Sequence, residues 1–368
     1  MDEKDLVMLF LKNGFQVSAD ALPMLKENPE FILEGLKKLK PRPFIVCKKH
    51  VRLVLDAEKK NSGAKRRVQV LKEFCFQKKA MRVDDYVNSM LSFYEVMRKI
   101  IMDRVTLERL ISINKISEKT QRFSIIGLVR EKGKNSLLVE DPTGEVHVFF
   151  GGEGNVNSTL LFFDKVCLDD VVGLKCRIMG GKVYATNIFF PDVALDREIQ
   201  RTKNEEKVIV VCNPSSLDGE SQRALTSFIR NSGQLSSVFI LWGDEKKRLG
   251  WSQDIEVIDV LADANPILYQ LENLLILTIP KSFFTKHVKE SGKKALISML
   301  RRRCIISCSE SKLPLNGFVL QEPPDVILSY GDEDFYTNYK GTTIISNTDP
   351  HKLYLLNTRT REVVVLTV

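Results

Sequence analysis

Apolar positions change their period along the chain, and the changes mark its parts. Over residues 1–43 they recur at helical spacing. Leu6, Val7, Leu9, Phe10 and Leu11 run up to Gly14; Ala21, Leu22, Met24 and Leu25 follow a Ser18 cap; Phe31, Ile32, Leu36 and Leu39 lie between Asn28-Pro29 and the helix-stopping Pro41 and Pro43. Residues 44–80 lose the pattern and hold the polar, basic run 61–67, which predicts a linker. Over 81–104 the stripe returns as Tyr86, Val87, Met90, Phe93, Tyr94, Met97, Ile100 and Ile101, a helix capped by Asp84 or Asp85.

From 105 to 195 the period shortens. Runs at 123–129, 136–141, 145–150, 171–178 and 182–188, punctuated by glycine turns and a helical insert near 156–165, predict a five-stranded OB-fold β-barrel. Residues 196–368 alternate buried strands (208–211, 238–242, 274–277, 325–328, 343–345, 352–356, 362–368) with helices at 221–229 and 295–303, the order of an α/β sandwich. The fold class is α+β, multidomain, with an N-terminal helical domain.

Composition refines this picture. Hydrophobic residues make 43% and charged residues 28%, so the chain can bury cores. The +8 net charge favours a polyanion as much as it favours a merely solvated basic surface. The seven cysteines are scattered without a Cys-x-x-Cys; Cys304 and Cys308 have no second pair, so reduced thiols in a cytoplasmic protein are expected rather than zinc. No run reaches the ~20 apolar residues of a membrane span.

Several stretches resemble the small subunit of archaeal D-family DNA polymerase, a relative of the B-subunits of eukaryotic replicative polymerases. They are Arg82-Val83-Asp84-Asp85-Tyr86-Val87 with its continuation to Ile101, Ser112–Ile116, Val139-Glu140-Asp141-Pro142-Thr143-Gly144, Asn265-Pro266, Leu300–Arg303 with Leu313-Pro314, Pro323–Ile327, and Tyr339–Asn347. The resemblance covers most of 80–368. It implies a calcineurin-like phosphoesterase domain over 196–368, an OB domain over 105–195 and a large catalytic polymerase subunit as partner. DNA is then met through the holoenzyme, with the sliding clamp and primase as further partners.

Active members of that family carry a two-metal exonuclease centre built from Asp-x-His, Gly-Asp-x-x-Asp, Gly-Asn-His and Gly-His-x-His motifs. This chain has only four histidines, His50, His147, His287 and His351, and none stands in such a motif. Asn213-Pro214-Ser215 occupies the first motif. Gly243-Asp244 remains of the second, with Lys247 at its second aspartate. A histidine position falls near Ile279, Ser329 replaces another, and Gly331-Asp332-Glu333-Asp334 stands for the last. A lysine opposes cations by charge, and Asn213 and Ser215 are weak neutral ligands. The resemblance therefore implies a degenerate pocket, a non-catalytic scaffold subunit and no cofactor. The alternatives are an exonuclease with altered ligands Asp244, Asp332 and Asp334, or a single-stranded DNA-binding protein.

Three further signals have two readings each. Gln222-Arg223-Ala224-Leu225-Thr226-Ser227-Phe228-Ile229 fits a loose clamp-binding pattern, yet suits helical core better. Arg301, Arg302 and Arg303 suit phosphates or a helix C-terminus equally. Phe149, Phe150, Phe162 and Phe163 suit stacked bases or barrel core.

Overall fold

The computed structural model describes residues 3–18, 21–25, 29–38, 45–46, 68–75, 82–151, 162–232, 237–243, 256–261, 264–283, 290, 292–306 and 315–368. The chain forms two compact units, 1–67 and 68–368. In the first, helices α1 (Glu3–Lys12), α2 (Leu22–Leu25) and α3 (Pro29–Lys38) bury Leu6, Phe10, Leu25, Ile32 and Leu36 together. Strands β1 (Gln16–Val17) and β2 (Ile45–Val46) pair in parallel. The Ser18 hydroxyl, expected to cap α2, donates to the Val46 carbonyl at 2.9 Å and tethers β2.

The stretch expected as a linker over 44–80 therefore contains structure at both ends. β2 belongs to the N-terminal unit, and β3 (Val68–Glu73) adds an outer strand to a sheet of the second unit by pairing with β12 (Ile267–Leu271). The signal was weak because β3 is an edge strand with only Val68 buried.

Helix α4 (Val83–Arg104) buries Phe93, Tyr94, Met97 and Ile101 at three- and four-residue spacing. Asp84 and Asp85 lie in its first turn rather than at the cap, which is Arg82. There they favour the positive end of the helix dipole.

Strands β4 (Arg122–Lys132), β5 (Ser136–Asp141), β6 (Gly144–Phe149), β7 (Val171–Met179) and β8 (Lys182–Phe189) close a barrel in the order β4-β5-β6-β8-β7. Alternate residues fill it: Leu137, Val139, Val148, Val172, Leu174 and Val183 are buried. Helix α4 fastens the barrel to the rest of the unit. The Tyr94 hydroxyl donates to Ile126 O at 3.0 Å, and Arg104 donates to Phe190 O at 2.8 Å.

The remaining residues form two sheets. Parallel β9 (Lys207–Cys212), β10 (Ser237–Gly243) and β11 (Glu256–Leu261) continue through antiparallel β17 (Lys352–Asn357) and β18 (Val363–Thr367) in the order β11-β10-β9-β17-β18. The second sheet runs β15 (Phe335–Tyr339), β16 (Thr342–Ser346), β14 (Val326–Ser329), β13 (Leu274–Ile279), β12, β3, with β13, β14 and β16 parallel. Their inner faces meet through Val208, Val210, Ile240, Trp242, Ile276, Val326 and Leu328. Helix α5 (Gly219–Ser232) covers the outer face of the first sheet with Leu225 and Ile229. Helix α6 (Gly292–Arg302), with α4, covers the second. Strands covered on both faces read as continuous apolar runs, as β9 and β14 do. No helix among the described residues is long and apolar enough to cross a membrane.

Candidate functional site

Parallel strands of both sheets deliver their C-terminal ends to one place: Cys212, Gly243, Ile279, Ser329 and Ser346. At the end of β9 the backbone turns through Asn213 with φ 38° and ψ 57°, a left-handed conformation that asparagine tolerates. Its amide N–H donates to Trp242 O at 2.7 Å, and its Nδ2 donates to the Tyr330 hydroxyl at 2.6 Å.

Tyr330 fills the space between the sheets. It is 5% exposed, and its ring centroid lies 6.0 Å from that of fully buried Trp242. The Lys281 Nζ stands 5.5 Å from the centre of the same ring, a cation over a π face. Burial pushes the Cys212 thiol up to about 12, with the Tyr330 hydrogen bond acting against it. Ser329 is 1% exposed and its hydroxyl has no partner among the described residues. The Asn347 amide bridges the sheets, donating to Lys352 O at 3.0 Å and to Val210 O at 3.4 Å.

The acidic turn is only partly gathered here. Asp334 Oδ1 accepts from Thr348 N at 2.6 Å and Thr348 Oγ1 at 3.0 Å, while Oδ2 lies 3.0 Å from Lys352 Nζ. Burial pushes its pKa up, but these bonds and the lysine outweigh it and hold the carboxyl below its usual range. Its lone pairs are thus engaged in fixing the turn after β16. Asp332 is exposed, and Ser215 is exposed on the turn Pro214–Ser216. Asp244 and Lys247 lie outside the described residues, as do His50, His287, Cys47 and Cys308. His147 and His351 are exposed. Among the described residues no group of three or more His, Cys, Asp or Glu is placed to hold a metal ion.

Of the residues singled out from sequence, the structure brings Asn213 and Ser329 to one cluster. Tyr330, Trp242 and Lys281 were missed. A signal existed: a large aromatic stands at or just past the end of two apolar strands, beside positions where ligand motifs are expected.

Two residues of the arginine triplet, Arg302 and Arg303, are buried. Arg302 is 5% exposed and lies 3.9 Å from Asp170, within the last turn of α6. Arg303, also 5% exposed, donates from Nε to Leu320 O at 2.7 Å and from Nη2 to Gln321 O; burial lowers its pKa to about 10. Arg301 is half-buried over the Phe190 ring at 5.9 Å. The clamp-like stretch lies on α5, where Leu225 and Ile229 are fully buried and Gln222 donates to Leu217 O at 3.0 Å. Phe150 and Phe163 pack together inside the barrel with centroids 4.8 Å apart.

No protein-family model matches the sequence, and no curated protein matches it. Among solved structures, the chain is similar over 22% of its length to 77% of telomere capping protein Ten1 from Saccharomyces pombe (18% identity, TM-score 0.17). Over 21% of its length it is similar to 77% of the OB domain of Ta0387 from Thermoplasma acidophilum (18% identity, TM-score 0.16). Over 44% of its length it is similar to 99% of an archaeal phosphodiesterase (9% identity, TM-score 0.26).

Proposed function

We propose that this chain is a non-catalytic scaffold subunit of a replicative DNA polymerase of the D-family type. Its second unit would combine an OB domain with a calcineurin-like sandwich, dock the large catalytic subunit and meet DNA through the holoenzyme in the cytoplasm. Its N-terminal unit would recruit further replication proteins such as the sliding clamp and primase. The observation that carries the reading is the aromatic plug at the strand ends. Where a dinuclear centre needs carboxylates and imidazoles around open space, Tyr330 fills the space against Trp242, Asn213 bonds its hydroxyl and Lys281 adds a positive charge over its ring.

Two measurements test this. Affinity purification of the full chain from the cells that encode it, with mass spectrometry, is expected to return a large DNA polymerase subunit in stoichiometric yield; its absence refutes the scaffold reading. The purified chain is expected to leave single-stranded DNA intact with manganese. Cleavage abolished by Asp244→Ala would instead establish an exonuclease with altered ligands.

A further inference from the structure

The barrel carries an outward-facing row that runs straight across all five strands. Ser136 on β5 stands opposite Phe149 on β6, Phe149 opposite Tyr184 on β8, Tyr184 opposite Arg177 on β7, and Arg177 opposite Arg122 on β4. Directly opposed residues share a face of the sheet. Their chain neighbours Leu137, Val148, Val183, Cys176 and Phe123 are buried in the barrel, so this row faces out. At ~4.8 Å per strand it spans about 19 Å.

Its chemistry is graded. Phe149 and Tyr184 form an aromatic pair with ring centroids 5.9 Å apart. The exposed Lys182 holds its Nζ 5.4 Å from the Phe149 centroid, and Arg177 and exposed Arg122 continue the row beyond Tyr184. The acids of the same strands stand off the row: Glu131 opposes Leu138, beside the Ser136 end, and Asp141 bonds Ile113 and Thr143 at the β5–β6 turn. Glu140 and Glu145 oppose each other beside the turn that joins β5 to β6, and Glu140 pairs with Arg130 at 3.0 Å. Glu145 is thus about 13 Å along the strand from Phe149. π faces with cations on both sides, and no carboxylate in the row, match a flexible polyanion whose bases are free to stack. A duplex presents phosphates but hides its base faces.

From this we infer that the row Phe149–Tyr184–Arg177–Arg122, with Lys182, binds single-stranded nucleic acid directly. The rings stack on bases and the three cations meet phosphates. The site differs from the strand-end cluster and from the arginine triplet of α6, and it holds or fails independently of the polymerase reading, because the full chain alone suffices to test it.

The test is fluorescence anisotropy of the full chain with labelled oligo(dT), oligo(rU) and a duplex over a salt series. Expected is binding to at least one single strand whose log affinity falls with log salt at a slope of about −2 for three cation contacts. The exposed Lys182→Glu variant should weaken binding and make the slope shallower by at least ~0.7. The Phe149→Leu/Tyr184→Leu variant, which keeps apolar bulk but removes the π faces, should weaken it by ~5- to 140-fold per stacked base. A preference for oligo(dT) or oligo(rU) assigns DNA or RNA, and either supports the site. The inference is overturned if neither single strand binds at low salt, if the duplex binds as tightly, or if Lys182→Glu binds like the parent. Variants that lose a protein partner while keeping oligonucleotide affinity overturn it too, by assigning the row to protein docking.

Discussion

Replacing Tyr330 probes whether the strand-end cluster is a packed plug. Tyr330→Ala removes a ring that is 5% exposed and packed at a tilt against Trp242, and deletes the acceptor of the 2.6 Å bond from Asn213. Truncating a buried aromatic to alanine costs ~3–5 kcal/mol. The lost hydrogen bond adds ~0.5–1.5 kcal/mol. Against a typical stability of ~5–15 kcal/mol, this is a large fraction of the whole. Tyr330→Phe keeps the ring and removes only the hydroxyl, so it should cost ~1 kcal/mol. Asn213→Gly keeps the left-handed backbone while deleting the donor. Combined with Tyr330→Phe it should show a coupling of ~1 kcal/mol, because both changes remove the same bond. Urea unfolding followed by fluorescence reads these values, with Trp242 as local reporter in a Trp251→Phe background, the chain having two tryptophans. A cost for Tyr330→Ala under ~1 kcal/mol would refute the reasoning, since a ring that can be removed so cheaply does not fill its space.

Two further outcomes follow from single groups. Burial pushes the Asp170 carboxyl up to about 7, with Arg302 pulling against it. The folded chain therefore holds a proton that the unfolded chain has released above ~4, and stability falls as pH rises between those values. Asp170→Asn should remove that part of the slope; equal differences between variant and parent urea midpoints at pH ~4.5 and ~7.5 would contradict it. Gly292 has φ +56°, and a Cβ there would lie 2.1 Å from Glu333 Oε2. Gly292→Ala should lower stability by ~1–2 kcal/mol from backbone strain alone. Adding Glu333→Ala should restore only the clash, and a full recovery in melting temperature would show that the backbone is not strained.

The parts of this fold that were legible in the sequence are those whose side-chain period is imposed by burial. The barrel strands alternate around Leu137, Val139 and Val148, and the sandwich strands are buried on both faces, so both announce themselves. β3, β11 and β15 did not; all three are edge strands, and β3 and β15 bury few residues and keep polar ones such as Gln69, Lys72 and Asn338. The site was half legible. The family resemblance marks positions Asn213 and Ser329, but Tyr330 acquires its role only from Trp242, Asn213 and Lys281, which are 49 or more residues away. Arg302 and Arg303 misled for the opposite reason. Charged residues are rarely buried unless paired, and their partners, Asp170 and the carbonyls of Leu320 and Gln321, come from loops that no period reveals.

The cluster's contacts have a common direction. Asn213 follows a strand of one sheet and bonds Tyr330, which follows a strand of the other; Trp242 meets Tyr330 across the same boundary; Asn347 donates from the end of β16 to Val210 in β9. Each joins the two sheets at their C-terminal ends. Side chains thus link these ends directly. A sandwich closed by its own residues keeps a fixed outer surface, and a fixed surface lowers the ordering cost of association. On the scaffold reading, the same packing that fills the pocket therefore also serves docking.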